Sequence, residues 1–111
     1  MSDALPLRGR RVVIFVEHDY DHLDLDTTRA TLASAGATVQ IVGPIQGQTY
    51  RSRDGQQIAA EVAASALRIN DVDAIVIPGG YAADKIRLRH AMVDLVRDAV
   101  AAGKPVAAMD H

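Results

Sequence analysis

The last two residues of the sequence, Asp110-His111, form a polar pair that directly follows a short apolar run at residues 106–109. Gly103 and Pro105 precede the run and are typical of a helix end, so the run has the pattern of a buried parallel strand. In open α/β sheets, ligands and chemistry gather beyond the carboxyl ends of the strands. The sequence therefore puts a carboxylate and an imidazole where reactive groups are expected.

A second group of chemically capable side chains lies in the stretch 17–26, between an early apolar run and a helical pattern. It contains acids and histidines: Glu17, His18, Asp19, Asp21, His22, Asp24 and Asp26. Such side chains are potential metal ligands, but their spacing on an irregular turn fits no tetrahedral set. A solvated acidic turn between a strand and a helix is the favoured interpretation.

The rest of the chain alternates between strand and helix patterns. Continuous β-branched runs predict strands, and stripes at three- and four-residue steps predict helices. The predicted strands are residues 11–16, 38–42, 74–77 and 106–109. One helix is predicted from the end of the stretch 17–26 to Gly36, a short one within residues 59–67, and a third over about 90–102. A hairpin or an excursion at the sheet edge is predicted at 45–58. This alternation is typical of a doubly wound α/β layer.

Composition narrows the functional classes. The chain has 111 residues and is 49% hydrophobic, which suits one domain with an apolar core. Its formal net charge of -2 gives no reason to expect binding to nucleic acid or to a membrane. It contains no cysteine, so disulfides, thiolate metal sites and a cysteine nucleophile are excluded. Because no signal-peptide pattern is found, a cytoplasmic location is expected.

Four segments carry a resemblance to a known family. They are the acidic turn at 19–24, Val42-Gly43-Pro44, the run 76–80 ending in Pro-Gly-Gly, and 102–108 with Gly-Lys-Pro-Val-Ala-Ala. The third and fourth, together and at this spacing, are the specific ones. The chain resembles the PfpI family of intracellular proteases in the ThiJ/PfpI superfamily, which also contains deglycases, glyoxalases, chaperones and isonitrile hydratases.

The resemblance implies a fold and a set of roles. The fold would be a flavodoxin-like, doubly wound parallel sheet with helices on both faces, and residues 1–111 would be the N-terminal two thirds of one such domain. Asp110 matches the family's cysteine nucleophile and His111 its following histidine. Asp24 matches the acid that hydrogen-bonds to that cysteine, and Asp84 the acid lent by a neighbouring subunit. Lastly, two glycines would supply pocket backbone: Gly79 and Gly80.

Asp110 departs from the family pattern, and three interpretations of it stay open. A carboxylate is a far poorer nucleophile than a thiolate, so cysteine-type activity is expected to be lost. Asp110 and Asp24 could share a proton and act as general acid and base. Asp110 could equally be a structural acid that caps a following helix, or it could imitate or represent a cysteine oxidised to sulfinate.

These features predict a PfpI-like stress or quality-control protein without thiol chemistry. Any remaining hydrolase or hydratase activity would be carried by Asp24, Asp110 and His111. The alternative is a non-catalytic module for metabolite binding or oligomeric interaction. No cofactor is expected. The expected partners are further copies of the chain, as a homodimer or higher oligomer, and a small carbonyl metabolite or peptide.

Overall fold

The chain folds into a parallel sheet with helices on both faces. The structure, a computed structural model, describes residues 5–80 and 82–109. Within them the elements are β1 (Arg11–Phe15), α1 (His22–Ser34), β2 (Thr38–Gly43), β3 (Thr49–Arg51), β4 (Gln57–Ala59), β5 (Val62–Ala63), β6 (Ala74–Ile77), α2 (Ala82–Ile86), α3 (His90–Ala101) and β7 (Val106–Ala108). The main sheet has the order β5-β2-β1-β6-β7 with every neighbouring pair parallel. The predicted flavodoxin-like α/β fold is confirmed.

β1 is the central strand, and its side chains alternate between two apolar cores. Val12 and Ile14 pack on the side covered by α1, whereas Val13 and Phe15 pack on the side covered by α3. Each of the four is at most 3% exposed. A strand that is buried on both faces needs apolar residues at every position, which explains the unbroken run in the sequence.

α1 starts and stops at residues whose chemistry favours a helix end. The Asp21 carboxylate accepts a hydrogen bond from the Asp24 N–H at 3.1 Å and thereby caps the first turn. Gly36, just after the C-cap residue Ala35, has a φ of +95°, the left-handed conformation that glycine adopts without strain. The helix therefore begins at the carboxyl edge of β1 and carries Asp24 in its first turn.

The prediction of a short helix within residues 59–67 is wrong. This stretch forms the end of β4, the two-residue strand β5 and a single 3-10 turn at Ala64–Ala66. Glu61 holds it against β2, because its N–H donates to the Ile41 carbonyl at 2.8 Å and its carboxylate accepts from the Ile41 N–H at 2.7 Å. Pairing at the sheet edge thus overrides the helix propensity of alanine.

Of the two alternatives predicted for residues 45–58, a hairpin or an excursion at the sheet edge, the structure shows the hairpin. β3 and β4 pair antiparallel as a separate two-stranded sheet, with Tyr50 opposite Ile58. Tyr50 is buried, and a Cβ on Gly43 of β2 would lie 2.9 Å from its ring. The hairpin is therefore packed tightly against the end of β2, near the carboxyl edge of the main sheet.

β7 is an edge strand of the described sheet and not a buried interior strand. It pairs with β6 alone, and Ala107 and Ala108 are exposed. Its second face borders an open groove of about 450 Å³ that is lined mainly by apolar residues, including Leu32 of α1, three residues of β6 and Ala107 of β7. The prediction of a buried strand at 106–109 is therefore wrong for the described residues, although the parallel pairing is as predicted. The physical reason is that no described element covers the second face or the outer edge.

None of the helices in the described ranges is long and apolar enough to span a lipid bilayer.

Candidate functional site

The loop between β1 and α1 forms the centre of the candidate site. Asp19 has a φ of +70°, and its N–H donates to the Arg51 carbonyl of the hairpin at 2.7 Å. The Asp21 N–H donates to the Gly79 carbonyl at 2.9 Å. Backbone bonds therefore fix this loop between the β3–β4 hairpin and the turn that follows β6.

The Pro-Gly-Gly turn after β6 needs glycine where it meets this loop. Gly80 has a φ of +90°, and a Cβ at this position would lie 2.5 Å from the Asp19 carbonyl oxygen. Only a bare backbone fits such an approach. The pocket-backbone role assigned to Gly79 and Gly80 stays a prediction.

Asp24 is joined to the same turn by its side chain. Its Oδ2 accepts a hydrogen bond from the Gly79 N–H at 3.0 Å, although the two residues are 55 positions apart in the sequence. Its own N–H is bound by the Asp21 carboxylate. Three of the predicted site residues, Asp24, Gly79 and Gly80, are thus brought together where β1 and β6 end.

The predicted reactive pair, Asp110 and His111, lies outside the described residues. The residue just before the pair, Met109, is held near the candidate site by two hydrogen bonds. The Met109 N–H donates to the last carbonyl of β6 at 2.9 Å, and the Thr28 hydroxyl donates to the Met109 sulfur at 3.7 Å. Thr28 is one helical turn after Asp24 in α1. The pairing of Asp24 with Asp110 stays a prediction.

Asp84 lies apart from these residues, on the surface of α2. Its carboxylate accepts a hydrogen bond from Arg87 at 2.6 Å, and both side chains are exposed. Such a surface pair contributes little to stability. The role assigned to Asp84 at a neighbouring subunit's site stays a prediction.

Glu17 is a functional candidate that the sequence analysis grouped with the solvated acids. It is only 1% exposed. Its Oε2 accepts from the Arg89 Nε at 2.8 Å, and its Oε1 accepts from the His18 N–H at 3.0 Å. The solvated interpretation is therefore wrong for Glu17. The signal was available, because the inward alternation of Val13 and Phe15 continues to this position.

A polar clasp connects the hairpin to the start of α1. The Asp54 carboxylate lies 2.8 Å from the His22 Nδ1 and accepts from the Ser52 hydroxyl at 2.8 Å, while Arg53 donates to Asp21 at 3.2 Å. The Ser52 hydrogen bond, together with the nearby His22, lowers the pKa of Asp54. Since Ser52 donates to Asp54 and not to His22, this clasp lacks the geometry of a serine nucleophile with its base.

The other charged groups of the loop are engaged in pairs. Asp19, for example, lies 3.0 Å from the Lys85 ammonium. Within residues 5–80 and 82–109, no three histidine or acidic side chains come together as a potential metal site. The described geometry therefore offers fixed carboxylates and hydrogen-bond donors, the groups used in acid–base chemistry and ligand binding.

Comparison with known proteins agrees with this architecture. An uncharacterized protein of Archaeoglobus fulgidus is 28% identical over 101 residues, which are 91% of this chain and 60% of that protein. A two-domain protein of Anabaena variabilis with DJ-1/ThiJ/PfpI-like and ferritin-like domains has 30% identity and a TM-score of 0.86, over 90% of this chain and 29% of that one. Oxidized Toxoplasma gondii DJ-1 has 29% identity and a TM-score of 0.82, over 90% and 55%.

The chain spans less than two thirds of the length of each of these proteins. The model of the DJ-1/PfpI family matches residues 10–111, a range that includes the β1–α1 loop, the Pro-Gly-Gly turn and β7. On this match, the chain belongs to the DJ-1/PfpI family.

Proposed function

We propose that the protein is a PfpI-like stress or quality-control protein in which carboxylate acid–base chemistry replaces cysteine chemistry. The sequence contains no cysteine, and Asp110 occupies the position of the family's nucleophile by resemblance. Asp24 and Asp110 would act as the acid and the base, with His111 as their partner. The substrate would be a small carbonyl compound or a peptide that is hydrated or hydrolysed by water.

The hydrogen bond between Asp24 and Gly79 is the observation that supports this proposal most. General acid–base catalysis requires a titratable group held within hydrogen-bond reach of the reacting atoms. The 3.0 Å bond fixes the Asp24 carboxylate at the edge of the sheet where ligands bind in open α/β folds.

The proposed reaction needs no oxidant and forms no covalent bond between the protein and the substrate. One carboxylate removes a proton from water while the water oxygen forms a bond to the carbonyl carbon. The other, protonated, carboxyl group delivers its proton to the carbonyl oxygen. The products are a hydrate or, for a peptide, the tetrahedral species that precedes cleavage.

The experiment measures turnover of methylglyoxal and of a model peptide before and after treatment with iodoacetamide. The expected turnover is slow, unaffected by the thiol reagent, and reduced roughly 10²-fold or more in Asp24→Asn and in Asp110→Asn. Asp26→Asn changes another acid of α1, an exposed one, and is the matched control that should keep full activity. Turnover that survives both substitutions would contradict the proposal.

The second candidate is a non-catalytic module that binds a metabolite at the same edge of the sheet. It is favoured by the hydrogen bond between Asp24 and Gly79, because this bond also stabilises the loop structure and does not require Asp24 to be catalytic. This alternative predicts a raised melting temperature with a small carbonyl or cationic metabolite, without any turnover. Turnover that depends on Asp24 would rule it out.

A further inference from the structure

A second concavity lies on the α3 side of the sheet's carboxyl edge. It has a volume of about 360 Å³ and is lined by Glu17, His18, Lys85, Leu88 and Arg89. A neighbouring hollow of about 390 Å³, towards the hairpin, shares His18 with it. Asp24, Gly79 and Gly80 do not line either space, so this region is separate from the site of the proposed function.

Arg89 is held in this cavity by a buried counter-ion. Its Nε donates to Glu17, whose side chain is 2% exposed, while the Arg89 side chain is 49% exposed. The other oxygen of Glu17 is occupied by the His18 N–H. Among the described residues, the terminal nitrogens of Arg89 make no hydrogen bond. The guanidinium is therefore oriented in advance and still has donors for a ligand, which reduces the entropic cost of binding.

His18 adds a neutral donor of defined tautomer. Its Nδ1 lies 3.2 Å from the Arg51 N–H and accepts its hydrogen bond. Its ring also packs on Tyr50, with the ring centroids 5.1 Å apart and the planes tilted by 51°. A neutral histidine that accepts at Nδ1 carries its proton at Nε2. The Arg51 contact and the Tyr50 contact both hold the ring of His18, which lines the cavity and keeps its Nε2–H as a donor for a ligand.

The charges around the cavity favour an anion. Lys85 and Arg89 are cationic, and Arg51 lines the adjoining hollow. The two acids in this region are already engaged, Glu17 with Arg89 and Asp19 with Lys85. Three cations therefore face two carboxylates, both of which are already paired, so the region has an excess of positive charge and of hydrogen-bond donors. Anionic oxygens are the natural partners of such a donor set.

We propose that this cavity is a binding site for a small oxyanion, a phosphate or carboxylate group, held by Arg89, Lys85 and the Nε2–H of His18. The site is independent of the acid–base function proposed for Asp24. Either one can therefore fail in experiment without the other. The ligand's anionic group would make charge-assisted hydrogen bonds to two cations and a neutral donor.

The experiment titrates the protein with inorganic phosphate, and separately with citrate, while amide resonances are followed by NMR. Saturable shifts at residues 17–18 and 85–89 are expected, and the tighter of the two ligands identifies the source of the oxyanion. Lys85→Gln should weaken binding roughly fivefold or more through the loss of one charge-assisted contact. His18→Asn keeps an acceptor for the Arg51 amide but lacks the Nε2–H, and should also weaken binding.

The matched control is Arg87→Gln, which removes an exposed cation two residues from Lys85 that does not line the cavity. Its affinity for phosphate should equal that of the wild type. Far-UV circular dichroism and the urea midpoint confirm that each variant is folded, and Lys85 is exposed enough for its variant to fold. Titrations that do not saturate, shifts confined to other residues, or an equal loss in Arg87→Gln would overturn the proposal.

Discussion

Among single residues, Glu17 and Arg89 form an ion pair whose loss should be costly, because the carboxylate is buried. A carboxylate that is 1% exposed is costly unless it is paired, and Arg89 supplies the pairing charge at 2.8 Å. The His18 N–H satisfies the second oxygen. Removing either partner would leave a charge without compensation at the end of the central strand.

Arg89→Met should therefore destabilise the protein. Breaking a buried ion pair costs about 3–5 kcal/mol, and the half-exposed position of Arg89 reduces the expected loss in the free energy of unfolding to about 1–3 kcal/mol. The double variant Glu17→Met/Arg89→Met should recover part of that loss, because it no longer buries an unpaired charge. Urea unfolding of the three proteins measures these differences. A double variant less stable than Arg89→Met would contradict this account.

The site residues differ in how far the sequence could predict them. The family resemblance led to Asp24, Gly79 and Gly80, which do lie together. Glu17 was missed because it adjoins a run of acids, and a charged residue next to others suggests solvent exposure. Its partner, Arg89, lies 72 positions away, and a contact over that distance has no local signal in a single sequence.

At the level of elements, the β3–β4 hairpin is attached to α1 through ionisable groups. The clasp of His22, Ser52 and Asp54 and the pair of Arg53 with Asp21 all join the hairpin to the start of the helix. Backbone bonds from the β1–α1 loop support the same contact. The hairpin's attachment should consequently depend on the ionisation of Asp54.

Asp54→Asn should lower stability at neutral pH but not in strong acid. The pKa of Asp54 is lowered from its ordinary value of 3.8 in the folded protein, first by the Ser52 hydrogen bond. Its ionised form therefore stabilises the fold above the ordinary value, and this contribution is lost as the pH falls through the lowered pKa. The urea midpoints of wild type and variant should differ near neutrality and converge in acid, once the pH has fallen through the lowered pKa of Asp54.

Asp94→Asn is a suitable control, because Asp94 forms an exposed pair with Arg97 on α3. Its effect on the urea midpoint should be smaller. A gap between wild type and Asp54→Asn that persists unchanged in acid would show that packing, and not ionisation, carries the contribution of Asp54.

The elements themselves were largely predictable, for identifiable reasons. The strands of the sheet centre have continuous β-branched runs, and α3 has a clear apolar stripe with buried Met92, Leu95 and Ala99. The error at residues 59–67 arose because alanine has two uses. Ala60 is buried against Gly43, and a Cβ on Gly43 would lie 2.9 Å from the Cβ of Ala60. Alanine is present there because its side chain is small, and its helix propensity plays no part.

For the whole molecule, β7 leaves one strand edge unpaired and two exposed alanines on the surface of the described chain. An open strand edge next to an apolar groove of about 450 Å³ is unfavourable for an isolated protein. The prediction that residues 106–109 form a buried strand is wrong for the described residues, because the sequence of a strand does not show which elements lie beside it. A second copy of the chain could cover this surface.

The protein is therefore expected to form a homo-oligomer in solution. Ala107 is exposed and lines the groove, so Ala107→Glu should shift the assembly towards monomer without disturbing the core. Ala101→Glu, at an exposed position of α3 outside the groove, should leave the assembly unchanged. Multi-angle light scattering measures the mass of each protein. A monomeric wild type would contradict the expectation.

The proposed function depends on the hydrogen bond that the Asp24 carboxylate accepts from the Gly79 N–H of the Pro-Gly-Gly turn, at the sheet's carboxyl edge. The most direct measurement is the amide proton resonance of Gly79 in Asp24→Ala, with Asp26→Ala as control. A hydrogen bond to a carboxylate shifts this resonance downfield, so it should move upfield in Asp24→Ala and stay in place in Asp26→Ala. A Gly79 resonance that is unchanged in Asp24→Ala would contradict the account.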